Sequence, residues 1–238
     1  MPRLANGRDV HLTPEEIAQE LLKQFDGGSQ LPSMRELAKG LGVSPMAIYN
    51  YFPGQAAIVR AAVNLVFKEA EHLFSQALPD PFGDGVPATE ILVQMGLATR
   101  RAFGRHFRIA PYMAATPDPS GWLAGTLALI TRVFERLELN PEEAARAFHT
   151  FVSFVFGSVI VAADRRITDE QLGDGAARGA GYGASKLLSR TESKKLLAAL
   201  APIIDVSITD PERDETLFAE GLRRLVSTFA PAESRSGL

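Results

Sequence analysis

LAKGLGVSPMAIYNYF, residues 37–52, spells two short helices joined by a tight turn. Leu37, Ala38 and Leu41 recur at helical spacing, and the small Ala38 lets a second helix approach closely. Gly42 supplies the backbone freedom that ends the first helix. Ser44 followed by Pro45 starts the second: the hydroxyl caps free N–H groups, and the proline sits where its missing N–H costs nothing. Val43, Ile48 and Phe52 then fall on the core side, and Pro45, Met46, Tyr49 and Asn50 on the solvent side. A short helix with such a face, clamped to a partner by a turn of about three to four residues, suits the major groove of DNA. The pattern predicts a helix-turn-helix.

Outward from that core, helix starts are plainly punctuated. Thr13-Pro14-Glu15-Glu16 is a capping box with proline at the first helical position, and Asn140-Pro141-Glu142-Glu143 repeats it with asparagine as the cap. Ser44-Pro45, Asp118-Pro119 and Asp210-Pro211 are further starts. Apolar residues between them recur at three and four, as in Ile17, Leu21, Leu22 and Phe25, while alternation appears only around Ile204, Val206 and Ile208. The expected fold is all-α. Helices are predicted over 14–26, 33–40, 45–51, 55–78, 87–103, 105–115, 120–138, 141–164, 191–202 and 211–229. Residues 168–185, rich in glycine, read as a loop. The helix from Gln55 carries its first turn in the DNA-reading bundle and the rest beyond it. It therefore divides the chain into a helix-turn-helix domain, 1–57, and a larger helical domain, 58–238.

Composition removes several function classes. The chain has no cysteine, which excludes disulfides, thiolate metal sites and cysteine nucleophiles and suits a reducing cytosol. His11, His72, His106 and His149 show no zinc-site spacing, and no Gly-x-Ser-x-Gly elbow, Walker lysine or catalytic acid pair occurs. No enzyme activity, metal or cofactor is expected. The longest nearly pure apolar run, 151–163, falls short of the roughly 18 or more residues of a membrane span, and the N-terminus lacks a signal-peptide core. The expected location is the cytoplasm. Charge gives DNA binding no bulk support: the net charge is −3, and the first sixty residues hold six cations and six anions. Any affinity must come from local placement.

Gly42-Val43-Ser44 with Ile48-Tyr49-Asn50-Tyr51-Phe52 resembles the signature of the tetracycline-repressor (TetR) family of bacterial transcriptional regulators. The likeness runs from Ser33-Met34-Arg35-Glu36-Leu37-Ala38 to Ala57-Ile58-Val59, covering residues 12–62. It thins to the stretches 137–144, 154–157 and 218–225, which are similar to two late helices and the terminal dimerisation helix of the family. The resemblance implies a homodimer on a near-palindromic double-stranded DNA operator. It further implies a C-terminal helical domain that takes up a small-molecule effector and releases DNA, as a repressor does. Carried over by position, Pro45, Met46, Ala47 and Tyr49 would approach base edges, with Ser44 as the cap of their helix. Ser33, Arg35, Asn50 and Tyr51 would hold phosphates. Gln55 stands where many relatives have a phosphate-binding lysine, so it keeps a donor and loses the charge.

Aromatic residues crowd the second domain. Phe103, Phe107, Tyr112, Trp122, Phe134 and Phe151, in a set with Met113, Phe148 and Phe154, are candidates for an apolar effector cavity between helices, each with core filling as the commoner alternative. Arg100, Arg101, Arg105 and Arg108 cluster around a helix junction and read first as a solvated face, with a seat for an acidic group as the alternative. The helix over 147–163 is apolar nearly all round and needs cover on two sides. Val152, Val155 and Val159 on it, with Leu217, Phe218, Gly221, Leu222 and Leu225 on the terminal helix, are the expected dimer interface. The rival readings are a helical partner-binding scaffold with weak DNA affinity and an all-α enzyme; a gel shift on the chain's own upstream DNA separates them.

Overall fold

A computed structural model describes residues 12–113, 122–172 and 211–230, all of them helix or connecting loop. The elements are α1 (Pro14–Asp26), α2 (Met34–Leu41), α3 (Pro45–Tyr49), α4 (Gln55–Ala77), α5 (Ala88–Arg105), a 3-10 turn (Phe107–Tyr112), α6 (Trp122–Arg136), α7 (Pro141–Leu172) and α8 (Pro211–Ser227). The expected helix 191–202, the alternation at 204–208 and the expected loop beyond Leu172 lie outside the described residues.

Local chemistry starts these helices where the sequence says. At α1 the Thr13 hydroxyl accepts from the Glu16 N–H (3.2 Å) and the Glu16 carboxylate accepts from the Thr13 N–H (2.8 Å). Ser33 and Glu36 repeat the exchange at α2. The Asn140 side chain accepts from the Glu142 and Glu143 N–H groups at 3.1 and 3.0 Å and so opens α7. Gly42 ends α2 at φ 66°, a left-handed conformation that glycine adopts without strain.

Two stretches depart from expectation. Within the expected helix 105–115, Phe107–Tyr112 form a short 3-10 turn, because Pro111 lies inside it and cannot donate to an α-helical ladder, and residues 114 and 115 lie outside the described residues. Helix α7 runs eight residues past the expected end to Leu172. Tertiary contacts hold that extension: Arg166 donates to the Gly104 carbonyl (2.5 Å) and Glu170 pairs with Arg108.

The apolar interior forms two clusters. The first joins α1, α2, α3 and most of α4 to the end of α5, the 3-10 turn and the second half of α7 through Val159 and Ala163. It therefore runs through the expected division at residue 57 without a break. The second joins the start of α5, α6, the first half of α7 and α8. Terminal α8 lies tightly on α5: a Cβ on Gly96 would stand 2.5 Å from the Leu222 side chain. Helix α7 is apolar and long enough to cross a membrane, with a mean hydropathy of 1.6 over its most apolar window. Phe151, Val155, Val159 and Ala163 bury one face of it within the chain, and 28% of that window is buried.

Candidate nucleic-acid interface and effector cavity

Helix α3 splits its residues cleanly. Ala47 and Ile48 are 3% and 0% exposed, whereas Met46 is 70% and Tyr49 48% exposed. Pro45 and Asn50 are exposed beside them. Ala47, expected at base edges, turns its side chain back toward the core with Ile48. Ser44 caps α3 by accepting from the Ala47 N–H at 3.3 Å. Ser33 is likewise occupied: its hydroxyl accepts from the Glu36 N–H, and its backbone N–H, with the hydroxyl second, holds the Glu36 carboxyl below the usual range. Tyr51 is half-buried against the first cluster. Arg35 stands exposed in the first turn of α2 and makes no ion pair among the described residues.

Gln55 has a different task from the one its position suggests. Its side-chain amide donates to the Pro32 carbonyl at 2.7 Å, bracing the start of α4 against the entry to α2. The amide is spent inside the protein. The first N–H groups of α4, after Gly54, have no side-chain cap and remain the anion-seeking feature there.

A cavity of about 640 Å³ opens between α4, α5, α6 and α7. Phe67, Ala70 and Met113 come to it from the first cluster, and Met95, Ile130 and Phe151 from the second, so it lies on the seam between the two. Phe148, Val152 and Phe156 complete the α7 wall. Glu71 is the one ionisable residue on its lining among the described residues.

Of the expected cavity residues, Phe151 lines it. Phe103 is fully buried and packs edge-on against Phe67, centroids 4.9 Å apart. Phe107 lies beneath the Arg108 guanidinium, Tyr112 meets the edge of Phe25, and Phe134 is buried in the second cluster. Trp122 begins α6, but its side chain lies outside the described set. Sequence reasoning missed Phe67, Phe156 and Glu71. Phe148, at helical spacing from Phe151 and Val152, carried a signal in the pattern.

The four arginines are committed elsewhere. Arg100 pairs with Asp214, Arg101 with Glu215 (2.7 Å), Arg105 with Glu69 (2.6 Å) and Arg108 with Glu170. They fasten helices together and are not among the residues that line the α4–α7 cavity.

Between the DNA-facing end and the cavity sits a polar latch. His106, at the end of α5, contacts Asp26 at the end of α1 through Nδ1 (2.6 Å) and Glu69 of α4 through Nε2 (3.1 Å). Arg108 donates to the Asp26 carbonyl at 3.0 Å. The hydrogen bond to Asp26 is the main reason His106 holds its proton above the ordinary histidine range.

The expected dimer residues mostly turn inward. Val155 (1% exposed), Phe218 (5%) and Leu222 (0%) are buried within the chain, because α8 packs its apolar stripe on α5 and α7, and Val159 (3%) is buried in the first cluster. Val152 lines the cavity, and Gly221 faces Phe154 of α7. Leu217 and Leu225 stay half-buried. The outward stripe of α7 is instead Thr150, Ser153, Gly157 and Val161, the last 49% exposed.

Residues 27–62 match the profile of bacterial regulatory proteins of the tetR family, and residues 87–228 that of the tetracyclin repressor-like C-terminal domain. No curated protein matches the chain in sequence. Among solved structures, a possible TetR family transcriptional regulator from Streptomyces coelicolor A3(2) aligns at a TM-score of 0.67 and 19% identity, over 91% of this chain and 98% of that one. TetR from Acinetobacter baumannii AYE aligns at 0.63 and 21%, over 92% and 96%. The Streptomyces coelicolor protein ActR, in complex with actinorhodin, aligns at 0.66 and 19%, over 93% and 96%. At these identities the structural likeness speaks for the fold, and the profile matches speak for the family. The chain belongs to the tetR family of bacterial regulatory proteins and has the fold of its ligand-responsive, DNA-binding transcriptional regulators.

Proposed function

We propose that the protein is a dimeric repressor that binds a near-palindromic operator in the cytoplasm and leaves it when a largely apolar small molecule enters the α4–α7 cavity. Residues 1–57 form the DNA-reading unit, and 58–238 hold the effector and the partner chain. The observation that carries the reading is where large apolar side chains stay wet. Among the described residues these are Met46, Tyr49, Leu127 and Val161. Met46 and Tyr49 lie on the recognition helix, Leu127 lines the cavity, and Val161 lies on the outer stripe of α7. Each marks a surface awaiting an occupant: base edges, effector and a second chain.

On DNA, Pro45, Met46 and Tyr49 approach base edges while Arg35, Asn50, Tyr51 and the uncapped start of α4 take phosphates. The Gln55 brace fixes α4 to the DNA-reading unit, and the same helix carries Phe67 and Glu71 to the cavity. Its placement on the seam lets an occupant change how the two clusters meet and so tilt α4. ActR was solved with actinorhodin bound, which supports a ligand-taking role for this fold. The dimer pairs the α7 stripe and α8 with their symmetry mates.

A gel shift on DNA upstream of the chain's own gene, with sedimentation of the complex, tests this. Two chains per duplex on a specific fragment, at low nanomolar to tens of nanomolar affinity, are expected. A compact monomer with equal affinity for any fragment contradicts it.

A further inference from the structure

We propose that the effector is an amphiphilic organic cation, a single positive charge on an aromatic or aliphatic body, with the charge held by Glu71. The inference rests on the reading of the α4–α7 cavity as the effector site and adds what that site selects. The walls are apolar, and the volume of about 640 Å³ falls within the range of small-molecule sites, roughly 300–1,000 Å³. Glu71 is the one ionisable group on the lining among the described residues. It stands at the mouth, still open to water, and reaches toward α6: its Oε1 lies 4.0 Å from where a Cβ on Gly125 would be.

The groups around Glu71 leave its charge largely uncompensated. Thr126 of α6 supplies a neutral hydrogen bond, and Lys68, three residues earlier on α4, acts only at a distance. Burial against the apolar rim outweighs both and pushes the carboxyl above the usual range. A carboxylate in that position is relieved by a cation brought from outside. An anionic ligand would meet a like charge with no arginine or lysine on the lining among the described residues to offset it. Phe74 and Phe148 on the same lining offer ring faces, which attract cations and accept apolar bodies alike. One carboxylate balances one charge, so a monocation fits better than a dication.

Calorimetric titration of the full chain with tetraphenylphosphonium, tetraphenylborate and neutral triphenylphosphine oxide tests this. The phosphonium is expected to bind at least tenfold tighter than the other two. Glu71→Gln should weaken the cation at least tenfold and leave the neutral probe unchanged. Val152→Trp, checked by its melting curve, fills the cavity and should abolish binding of every probe. If the neutral or anionic probe binds as tightly as the cation, or Glu71→Gln changes nothing while Val152→Trp still blocks binding, the cation assignment falls and the cavity stands. If phosphonium binding survives Val152→Trp, or no probe binds, the cavity reading falls with it.

Discussion

Helix α4 joins two unlike ends of the molecule. Around its first three turns Ile58, Val59, Ala62 and Val63 are at most 4% exposed, in one buried cluster with residues of α1, α2 and α3. Two turns later the same helix borders an open cavity through Phe67, Ala70, Glu71 and Phe74. The closed end must hold a recognition helix of five residues in one geometry, and such a helix has no stability of its own. The open end forgoes packing that a binding site cannot have. Rigidity and vacancy on one helix are what a device needs to turn occupancy into motion.

The contrast can be broken by truncation. Ile58→Ala at the closed end should cost about 2–5 kcal/mol in chemical denaturation, while Phe148→Ala at the cavity wall should cost less than half as much, since that side chain already lacks partners on one side. Equal costs would mean that the cavity is packed in solution. Enlargement sharpens it from the other direction. Ala62→Phe should overpack the closed end by about 1–3 kcal/mol, whereas Val152→Phe should leave the melting temperature within a few degrees of wild type.

The latch between the ends has a signed pH dependence. His106 holds its proton above the ordinary value of 6.5, so its contribution is fully present below about pH 6.5 and is lost as pH rises through the folded-state value. The charged groups facing it are Asp26, Glu69, Arg105 and Arg108. His106→Ala should destabilise by about 0.5–1.5 kcal/mol at pH 6, less at pH 9, and flatten the wild-type pH profile between them. The smallest effect belongs to the Arg101–Glu215 pair, about half exposed on both sides, where Arg101→Ala should shift stability by about 0–1 kcal/mol.

What the sequence made legible was local. Thr13, Ser33, Ser44 and Asn140 announce helix starts because a cap acts within three residues of itself. The outward turn of Met46 and Tyr49 followed from the spacing of Val43, Ile48 and Phe52 around them. What stayed hidden depends on how distant elements meet. An aromatic residue at helical spacing is apolar whether its neighbour fills the space or leaves it empty, so Phe103 and Phe67 could not be told apart. The stripe Phe218, Leu222 and Val226 demands cover without saying whose, and α5 of the same chain supplies it. Gln55 illustrates the same limit, since the Pro32 carbonyl that takes its amide lies 23 residues away in sequence.

The most direct test of the central claim, that α3 reads DNA from a rigid seat, is fluorescence anisotropy on the upstream fragment and on random DNA of equal length across a salt series. Wild type should prefer the specific fragment by about 10³ or more. Met46→Ala/Tyr49→Ala should lose that preference at an unchanged melting temperature, and Arg35→Ala should weaken both fragments and reduce the log–log salt slope by about one. A double variant that keeps wild-type preference, or a wild type indifferent to sequence, would contradict it.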